Sequence, residues 1–359
     1  MWTPIYQPEP WPQFVKRKDI APLPLMEQRR KHMEEQMLFE NYVSSVNTMS
    51  TLNAGAAGGP APDSDPSYVL TNATIQAASA LWFTNQALAE ERYGLIGNWD
   101  VSRVTEFEDV FSVVDNGVPN TFNEDISGWN MSNATDLQEM FQGQTLFNQD
   151  LSNWNVSNVT NFNDTFKECA AYNNGGVNLN GWDVSGATNM SGMFDQASGF
   201  NQAIGDWDTR NVTTFSKMFK DAAAFNQSIN TVTSEVTPGV FQAVKWCVDQ
   251  ATDMSDMFSG ALTFDQSIGR WLTNGNQPSG RALWTTAARM FGTPGAADAV
   301  TLSVANYNVL LIAWKNGPVP QNVSFSGGDS QYDDEFAISA RQSFIDNEGW
   351  TIVDGGEVV

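Results

Sequence analysis

Histidine and cysteine are almost absent from this chain, and their scarcity limits the chemistry available to it. One histidine, His32, and two cysteines occur among the 359 residues. A Ser-His-Asp triad or a histidine metal cluster therefore cannot be built in the body of the protein. Cys169 and Cys247 are too few for a disulfide framework, and neither has metal-ligand spacing. Cys169 is expected to be a small buried side chain.

The motifs of other enzyme classes are missing as well. No phosphate-binding glycine loop with its lysine is present. The acidic run 333–335 lacks the spacing of a dedicated calcium loop, and we interpret it as the solvated start of a helix. We therefore predict no catalytic residues, no metal, no cofactor and no enzymatic activity. Carboxylates are numerous enough that a glycosidase-type pair stays open as an alternative.

Basic residues and long apolar runs are also scarce. Lys and Arg total 18 against 41 Asp and Glu, which gives a formal charge of −23. The first 40 residues contain six of each sign, so the other 319 contain 12 basic and 35 acidic residues. We therefore expect no nucleic-acid partner for the body. The chain has no apolar run of about 18 residues, so no membrane span is predicted. Prolines and charges stand where a signal peptide needs an apolar stretch, so classical secretion is not expected.

What the chain does contain is a register of seven tryptophans. Six are followed twelve residues later by a phenylalanine, and an eight-residue insertion displaces Phe291, the expected partner of the seventh. Successive tryptophans are 30, 25, 28, 25, 39 and 25 residues apart, so the basic period is 25. A period in this range predicts a solenoid. The tryptophans are Trp99, Trp129, Trp154, Trp182, Trp207, Trp246 and Trp271.

Within one unit the pattern predicts a strand, a short helix and a return loop. Residues 154–162 largely alternate apolar and polar side chains, as a short strand does. Phe166 and Ala170 then follow at helical spacing, and Tyr172 leads into the loop. We expect the tryptophans and phenylalanines to form the core, in which each large buried side chain contributes roughly 1.5–3 kcal/mol.

A threonine stands six residues after most of the tryptophans. A column of hydroxyls, one unit above another, is expected to bind neighbouring backbone groups in the turns. We interpret the column as structural, because a binding residue would hardly need repeating in every unit. Its members are Thr105, Thr135, Thr160, Thr188, Thr213 and Thr252.

The periodicity divides the chain into four parts. Residues 99–291 are predicted to be the solenoid of about seven repeats. Residues 64–98 are expected to form an N-terminal helical cap, in which Asn72 caps a helix that ends at Gly94. Residues 292–359 are expected to form a C-terminal α/β cap of two helices and two strands. Stacked repeats need such caps, since their open ends expose core to water.

Residues 1–63 differ in kind from the repeats and are predicted to be an extended docking arm. Prolines precede a polar helical stretch, and a glycine-rich joint follows it. The alternatives are a disordered tail and a helix folded back on the solenoid. We expect the arm's aromatic residues and basic triplets to bind an acidic neighbouring subunit. The candidate docking residues are Trp2, Trp11, Phe14, Lys16, Arg17, Lys18, Arg29, Arg30 and Lys31.

The repeats resemble those of the BspA-like, leucine-rich-repeat-related family of bacterial surface lipoproteins. Its repeat has the approximate form W-D-V-S-x-V-T-x-M-x-x-M-F-x-x-A-x-x-F-N-Q, and residues 182–202 follow it most fully. The caps are similar too, and the resemblance covers about residues 70–356. It implies a leucine-rich-repeat-like solenoid of short parallel strands and short helices, used for surface display or adhesion without enzymatic activity. Unlike members of that family, the chain is expected to have no lipoprotein signal, and it adds the arm.

Two insertions interrupt the period and are candidate contact loops, since solenoids commonly place variable loops at a binding face. The larger spans about 230–245 and includes Val236, Val240 and Phe241; the other lies between Leu272 and Leu283. Idle surface decoration is the alternative for both.

Three functions follow in order of preference. The first is a structural or interaction subunit of a virus or phage particle, anchored by the arm and located in the virion. The second is a cell-surface or extracellular adhesin for a host surface or glycan, which uses the insertions. The third is an enzyme that uses unrecognised carboxylates.

Overall fold

The computed structural model describes residues 69–230, 232–237, 240–272, 286–317 and 319–358. Residues from Asp65 onward belong to one compact unit. The predicted docking arm, with all its candidate residues, lies outside the described residues. No helix in the described ranges is long and apolar enough to cross a membrane.

Two short helices precede the first repeat. Helix α1 spans Ile75–Thr84 and helix α2 spans Gln86–Tyr93, followed by a 3-10 turn at Ile96–Asn98. Asn85 separates the helices and caps α2, since its side chain accepts a hydrogen bond from the amide of Leu88 at 3.2 Å. Gly94 ends α2 with φ of +75°, a conformation that glycine adopts without steric cost.

The prediction that Asn72 caps the first helix is wrong. Thr74 holds the cap position of α1, and its side chain makes no capping bond. The Asn72 side chain instead accepts a hydrogen bond from the amide of Thr105 at 2.8 Å and donates one to its hydroxyl at 2.8 Å. Asn72 thus takes the place that a preceding repeat would occupy at the start of the threonine column.

The repeats lie side by side and are joined by single parallel bridges at equivalent positions. The amide of Thr160, for example, donates to the carbonyl of Thr135 at 2.9 Å, and the amide of Thr188 donates to that of Thr160 at 2.8 Å. Each repeat therefore pairs with the next through its backbone. The bridges run Glu106 to Asp136, Asp136 to Asn161, Asn161 to Asn189, Asn189 to Thr214, Thr214 to Asp253 and Asp253 to Thr286.

The segments in which the sequence predicts short helices consist of turns. In the Trp154 repeat, Asp164 and Glu168 have φ of +51° and +61° on either side of Phe166. Right-handed helix requires negative φ at every residue, so two left-handed residues this close prevent one. The predicted strand is likewise reduced to one bridge residue, Asn161.

The core is a set of aromatic columns that follow the repeat. All seven tryptophans of the register are at most 3% exposed. The rings of Trp182 and Trp207 stack with centroids 6.2 Å apart and planes 4° from parallel. Phe166 and Phe194 stack at 5.7 Å and 4° in the next column. The rings also pack within a repeat, where Phe166 stacks on Tyr172 with centroids 4.0 Å apart, so the columns are joined both along the array and across each repeat.

The indole N–H groups connect the repeats as well. From Trp129 onward each donates to the carbonyl of a buried Ile or Leu in the preceding repeat, as Trp182 does to Leu151 at 2.9 Å and Trp207 does to Leu179 at 2.8 Å. The first, Trp99, donates instead to the carbonyl of Gly94 at 3.0 Å. A buried indole N–H requires such a partner. The same bond recurs from Trp129 to Trp271.

The larger insertion contains an antiparallel hairpin of strands β1 (Val232–Thr237) and β2 (Val240–Lys245). The repeats on either side of it remain joined: Thr214 bridges to Asp253, and the amide of Thr252 donates to the carbonyl of Thr213 at 2.8 Å. The second insertion falls mostly on residues 273–285, outside the described residues.

The C-terminal part contains two helices and two small parallel sheets. Helix α3 spans Val304–Lys315 and helix α4 spans Glu335–Glu348. Strand β3 (Ser324–Ser326) pairs with β5 (Thr351–Val353), and β4 (Gln331–Tyr332) pairs with β6 (Gly356–Glu357). A parallel bridge from Ala287 to Phe325 connects this part to the last repeat.

Candidate functional site

The threonine column is used to join repeats. The hydroxyl of Thr135 donates to the carbonyl of Thr105 at 3.1 Å, and that of Thr213 donates to the carbonyl of Thr188 at 2.9 Å. Thr160, Thr188 and Thr252 make the same bond to the preceding threonine at 3.1 to 3.3 Å. These hydroxyls are therefore engaged within the array.

A second polar column escaped the sequence prediction. In the return loops, the Asn148 side chain accepts a hydrogen bond from the amide of Asn173 at 2.8 Å, and the Asn173 side chain accepts one from the amide of Asn201 at 2.9 Å. The signal in the sequence is the Asn or Asp that follows each loop aromatic. The column consists of Asn123, Asn148, Asn173, Asn201, Asn226 and Asp265.

A third column is defined by backbone conformation, two residues before each phenylalanine of the register. Its members share a left-handed φ between +51° and +61° but have different side chains. Because most are charged, they place a row of charges along one face of the array, which we call the left-handed column. It consists of Asp109, Glu139, Asp164, Gly192, Lys217, Asp256 and Arg289.

Three carboxylates converge at the first repeats. Asp109, Asp115 and Glu139 each offer an oxygen, and these atoms lie within 4.8 Å of one another. Burial and the nearby carboxylates of Asp115 and Glu139 raise the pKa of Asp109 to about 7. Burial and Asp115 likewise raise the pKa of Glu139 to about 7. Hard divalent cations take oxygen ligands of this kind. The cluster has no signature in the sequence, because Glu139 belongs to a different repeat from Asp109 and Asp115.

The middle of the same face contains a polar cavity of about 340 Å³, which we call the Asp195 cavity. Four consecutive repeats contribute to it, and none of its lining side chains is aromatic or aliphatic. The lining consists of Asn163, Asp164, Lys167, Ser191, Gly192, Asp195, Thr214, Ser216, Lys217 and Asp253.

Asp195 is the most deeply buried charge of this cavity. The residue is 5% exposed, and its Oδ1 atom has no hydrogen-bond partner. The ammonium of Lys220 lies 3.9 Å from that oxygen and only 2.7 Å from the carboxylate of Asp221. Burial raises the pKa of Asp195 to about 6, against the opposing effect of Lys220 and Lys167. The carboxylate is thus largely ionised at neutral pH with one oxygen unsatisfied.

Gly192 leaves room for the Asp164 carboxylate at the cavity, because a glycine has no Cβ atom to collide with it. A Cβ atom at Gly192 would lie 1.8 Å from Oδ1 of Asp164. The Asp164 carboxylate therefore lies over the glycine, and its Oδ2 pairs with Lys167 at 3.3 Å. A substitution at Gly192 would displace this ion pair.

A buried charge cluster in the C-terminal part is internally satisfied. The Asp354 carboxylate, 1% exposed, pairs with Nε of Arg341 at 2.8 Å and accepts a hydrogen bond from the hydroxyl of Tyr307 at 2.8 Å. The guanidinium also lies 5.5 Å from the ring centre of Tyr332. Since each polar group has partners, we interpret the cluster as structural.

The two cysteines, the residues of the larger insertion and the acidic run 333–335 were also singled out in the sequence, and the structure places each of them. Cys169 is fully buried, and burial raises the pKa of its thiol. Burial also raises the pKa of Cys247 to about 12, so neither is a thiolate at neutral pH. Val236 lies in β1, and Val240 and Phe241 lie in β2. Asp334 caps α4 by accepting a hydrogen bond from the amide of Phe336 at 2.8 Å, so the acidic run does start a helix.

A family model described as a Mycoplasma protein of unknown function, DUF285, matches residues 80–178 and 176–291. No curated protein and no solved structure matches the chain. The two matched stretches together cover more than half of the chain and most of the repeats. The chain therefore belongs to the DUF285 family.

Proposed function

We propose that this DUF285-family chain is a non-enzymatic structural and interaction protein, built as a leucine-rich-repeat-related solenoid of the BspA-like kind. The observation that carries the proposal is that each recurring residue type contacts its own equivalents in the next repeat. Tryptophans stack and donate to the preceding repeat, and threonines bond to threonines. The recurring residues are thus used in stacking, which leaves the irregular parts of the chain for partners.

Parallel pairing supports the solenoid interpretation. Seven parallel bridges connect consecutive units from Glu106 through to Phe325. In a solenoid each unit contacts only its neighbours, and terminal caps cover the exposed ends of the core. The helices before the first repeat and the α/β segment after the last occupy those positions.

We further propose that residues 1–63 anchor the chain in a larger assembly, with a virus or phage particle as the leading candidate. Charge distribution supports this assignment. The first 40 residues balance six acidic residues against six basic ones, which form the two triplets 16–18 and 29–31, whereas the remaining 319 residues contain 35 acidic against 12 basic residues. The two triplets are local positive clusters in a segment without net positive charge, and such clusters are attracted to acidic neighbours, including other copies of this body, by a force that weakens with salt.

The test compares three chains expressed in the cells or virus that make the protein: the full chain, one lacking residues 1–63, and one in which the six basic arm residues are replaced by alanine. Particles are purified by sedimentation, and the content of each chain is measured. We expect the truncated chain to be lost from particles while its near-ultraviolet circular dichroism stays unchanged. Equal incorporation of the full and truncated chains would refute the anchoring role.

The alternative is a cell-surface or carbohydrate-binding adhesin, and the hairpin favours it. Strands β1 and β2 are added between two repeats that remain bridged to each other, so the array does not need them. Replacing residues 231–244 with a short glycine-serine loop should leave the fold intact. Loss of binding to host cells or glycans in that variant would support the adhesin function. Unchanged binding would exclude the hairpin as the binding site.

A further inference from the structure

Helices α3 and α4 leave a partly apolar groove open between them, which we call the Phe336 groove. It has a volume of about 200 Å³ and is lined by Ile312, Lys315, Asn316, Phe336, Ser339 and Ala340. Phe336 itself is 65% exposed. Val309, one turn before Ile312 on α3, is 49% exposed and extends the apolar surface. Contiguous apolar surface of this kind is typical of a site that another chain covers.

The charged groups beside the groove fall into two blocks. Asp333 and Glu335, at the start of α4, are exposed and have no ion pair within 4.0 Å among the described residues. Lys315 lines the groove together with Ser339, which stands one helical turn after Glu335. No carboxylate in the described ranges lies within 4.0 Å of the Lys315 ammonium. An occupant should therefore place positive charge at the acidic block and negative charge one turn, roughly 6 Å, further along.

Charge argues against a symmetric dimer in which two copies of the groove face each other. Residues 292–359 contain nine Asp or Glu against two Lys or Arg, and one of those two, Arg341, is already paired with the buried Asp354. A two-fold axis would set this acidic surface against itself, and like charges repel. The occupant is therefore a different surface, one that begins with a basic block.

The sequence of the arm contains a segment with the required order of charges. Residues 29–39 read Arg-Arg-Lys-His-Met-Glu-Glu-Gln-Met-Leu-Phe, so a basic triplet is followed one helical turn later by an acidic pair. Four residues at the spacing i, i+3, i+4 and i+7 would share one face of a helix. They are Arg30, Met33, Glu34 and Met37. Methionine is flexible and fills irregular apolar gaps.

We propose that the Phe336 groove binds residues 29–39 of a second copy of this chain. Met33 and Met37 occupy the groove, the basic triplet lies at the acidic start of α4, and the acidic pair lies at Lys315. The inference rests on the proposed anchoring role of residues 1–63 and names one partner for it. The other basic triplet, 16–18, does not fit, because prolines rather than an acidic pair and methionines follow it.

The arm and the groove belong to opposite ends of the array of repeats, which favours a contact between copies. The described chain begins at residue 69, before the first repeat, whereas α3 and α4 follow the last one. Eight parallel bridges connect the two ends. At about 4.8 Å for each pair of strands, the ends are roughly 40 Å apart. A contact between the arm of one copy and the groove of the next therefore joins copies head to tail.

The test uses the full chain and two variants of it. The groove variant combines Phe336→Ala with Lys315→Ala, and the arm variant combines Met33→Ser with Met37→Ser. Self-association is measured by sedimentation velocity over a concentration series. We expect the parent chain to associate, and each variant to associate about tenfold more weakly or less, because truncating the anchors of an interface costs at least this much.

A mixture of the two variants identifies the copy that supplies the arm. The arm variant keeps an intact groove and the groove variant keeps an intact arm, so an equimolar mixture should form a one-to-one complex although neither associates alone. If the arm instead occupies the groove of its own chain, the mixture contains only monomers. That result would overturn the proposal.

Leu262→Ala is the matched control, because Leu262 is 55% exposed but lies in the repeats, outside the groove. It should associate as the parent chain does. Charge reversal gives a second test: Lys315→Glu should weaken association, and adding Glu34→Lys and Glu35→Lys to the same chain should restore it. Added salt should weaken the parent association, because it screens these charges.

Two further results would overturn the proposal. One is a parent chain that stays monomeric up to about 100 µM. The other is a groove variant that associates as tightly as Leu262→Ala, with the same near-ultraviolet circular dichroism. Particle incorporation separates this inference from the proposed function. If the chain lacking residues 1–63 is lost from particles while the groove variant is incorporated normally, the anchoring role stands and its partner is not this groove. If both are incorporated normally, the anchoring role is wrong as well.

Discussion

The indole N–H of Trp314 lies 3.3 Å from the carbonyl oxygen of Ile268 and donates a hydrogen bond to it. Ile268 stands three residues before Trp271, and within the repeats Trp207 bonds in the same way to Leu179, three residues before Trp182. Trp314 belongs to helix α3 and is fully buried. A helical residue thus occupies the hydrogen-bonding position of the next tryptophan and closes the column.

Trp314→Phe should destabilise the chain by about 1–3 kcal/mol, because it removes the donor and part of a fully buried ring. It also weakens the edge contacts of Trp314 with Phe325 and Trp350, at 5.6 and 6.4 Å between ring centres. Urea unfolding followed by near-ultraviolet circular dichroism measures the loss. Phe336→Leu on α4, where the side chain is 65% exposed, is the control and should change stability by less than about 0.5 kcal/mol. Equal effects of the two would show that Trp314 does not hold the cap.

We expect the hydrogen bond of a threonine hydroxyl to stabilise the fold more when the threonine is buried. Thr165 is fully buried, and its hydroxyl oxygen lies 3.0 and 2.9 Å from the carbonyl oxygens of Leu137 and Phe162, which share its one hydrogen. Thr188 is exposed and donates only to Thr160 at 3.1 Å. We expect Thr165→Val to cost about 1–3 kcal/mol and Thr188→Val less than about 1 kcal/mol in the free energy of unfolding. Thr293→Val, at an exposed site, is the control, and the reverse order of costs would contradict this account.

Gln196 offers a test of backbone conformation alone, since its side chain is exposed and its φ is +60°. A β-branched residue is strongly disfavoured in that region, so Gln196→Val should lower the unfolding free energy by about 1–2 kcal/mol. Gln196→Gly should cause little or no loss, because glycine adopts positive φ freely. Thermal unfolding of both variants measures the difference. Equal midpoints would mean that the loop relaxes to negative φ.

The carboxylates of Asp109 and Glu139 predict an unusual pH dependence. Both have a pKa of about 7 in the folded chain, raised by burial and then by neighbouring carboxylates, against ordinary values of 3.8 and 4.5. Between pH 4 and 7 the folded state therefore binds more protons than the unfolded state at these two sites. Their contribution to stability falls as the pH rises through this window, and is lowest above pH 7.

Asp109→Asn should consequently raise the thermal midpoint at pH 8, and its advantage over the parent chain should shrink as the pH is lowered to 5. Glu124→Gln removes one negative charge at an exposed position of the same region and serves as the control for net charge. A pH profile of Asp109→Asn that parallels that of Glu124→Gln would show that the carboxylate cluster is not strained. Addition of calcium at pH 8 should stabilise the parent chain more than Asp109→Asn if the cluster binds a cation.

The sequence predicted the contacts that depend on which side chain stands at a position. Tryptophan at a fixed register leads directly to a buried column, and threonine at a fixed offset leads to a column of hydroxyls that bond to backbone. The left-handed column has no signature in the sequence because Asp, Glu, Gly, Lys and Arg share no side-chain property, only a φ between +51° and +61°. The same residues explain why turns stand where Phe166 and Ala170 suggested a helix.

The Asp195 cavity was hidden for a related reason. Gly192 and Asp195 are unremarkable within their own repeat, and the lining forms only when Asp164, Gly192 and Lys217 come together from neighbouring repeats. Asn72 was misassigned because an asparagine three residues before an apolar run matches a helix cap. Its true partner, Thr105, lies 33 residues away.

The bond from Thr252 to Thr213 spans 39 residues, whereas that from Thr213 to Thr188 spans 25, and the geometry is the same. The number of residues between successive bridges can therefore change while the bridges themselves stay the same. Foreign peptides of different lengths could be spliced in place of the hairpin without altering the stack, which makes this position a natural graft point for epitope presentation.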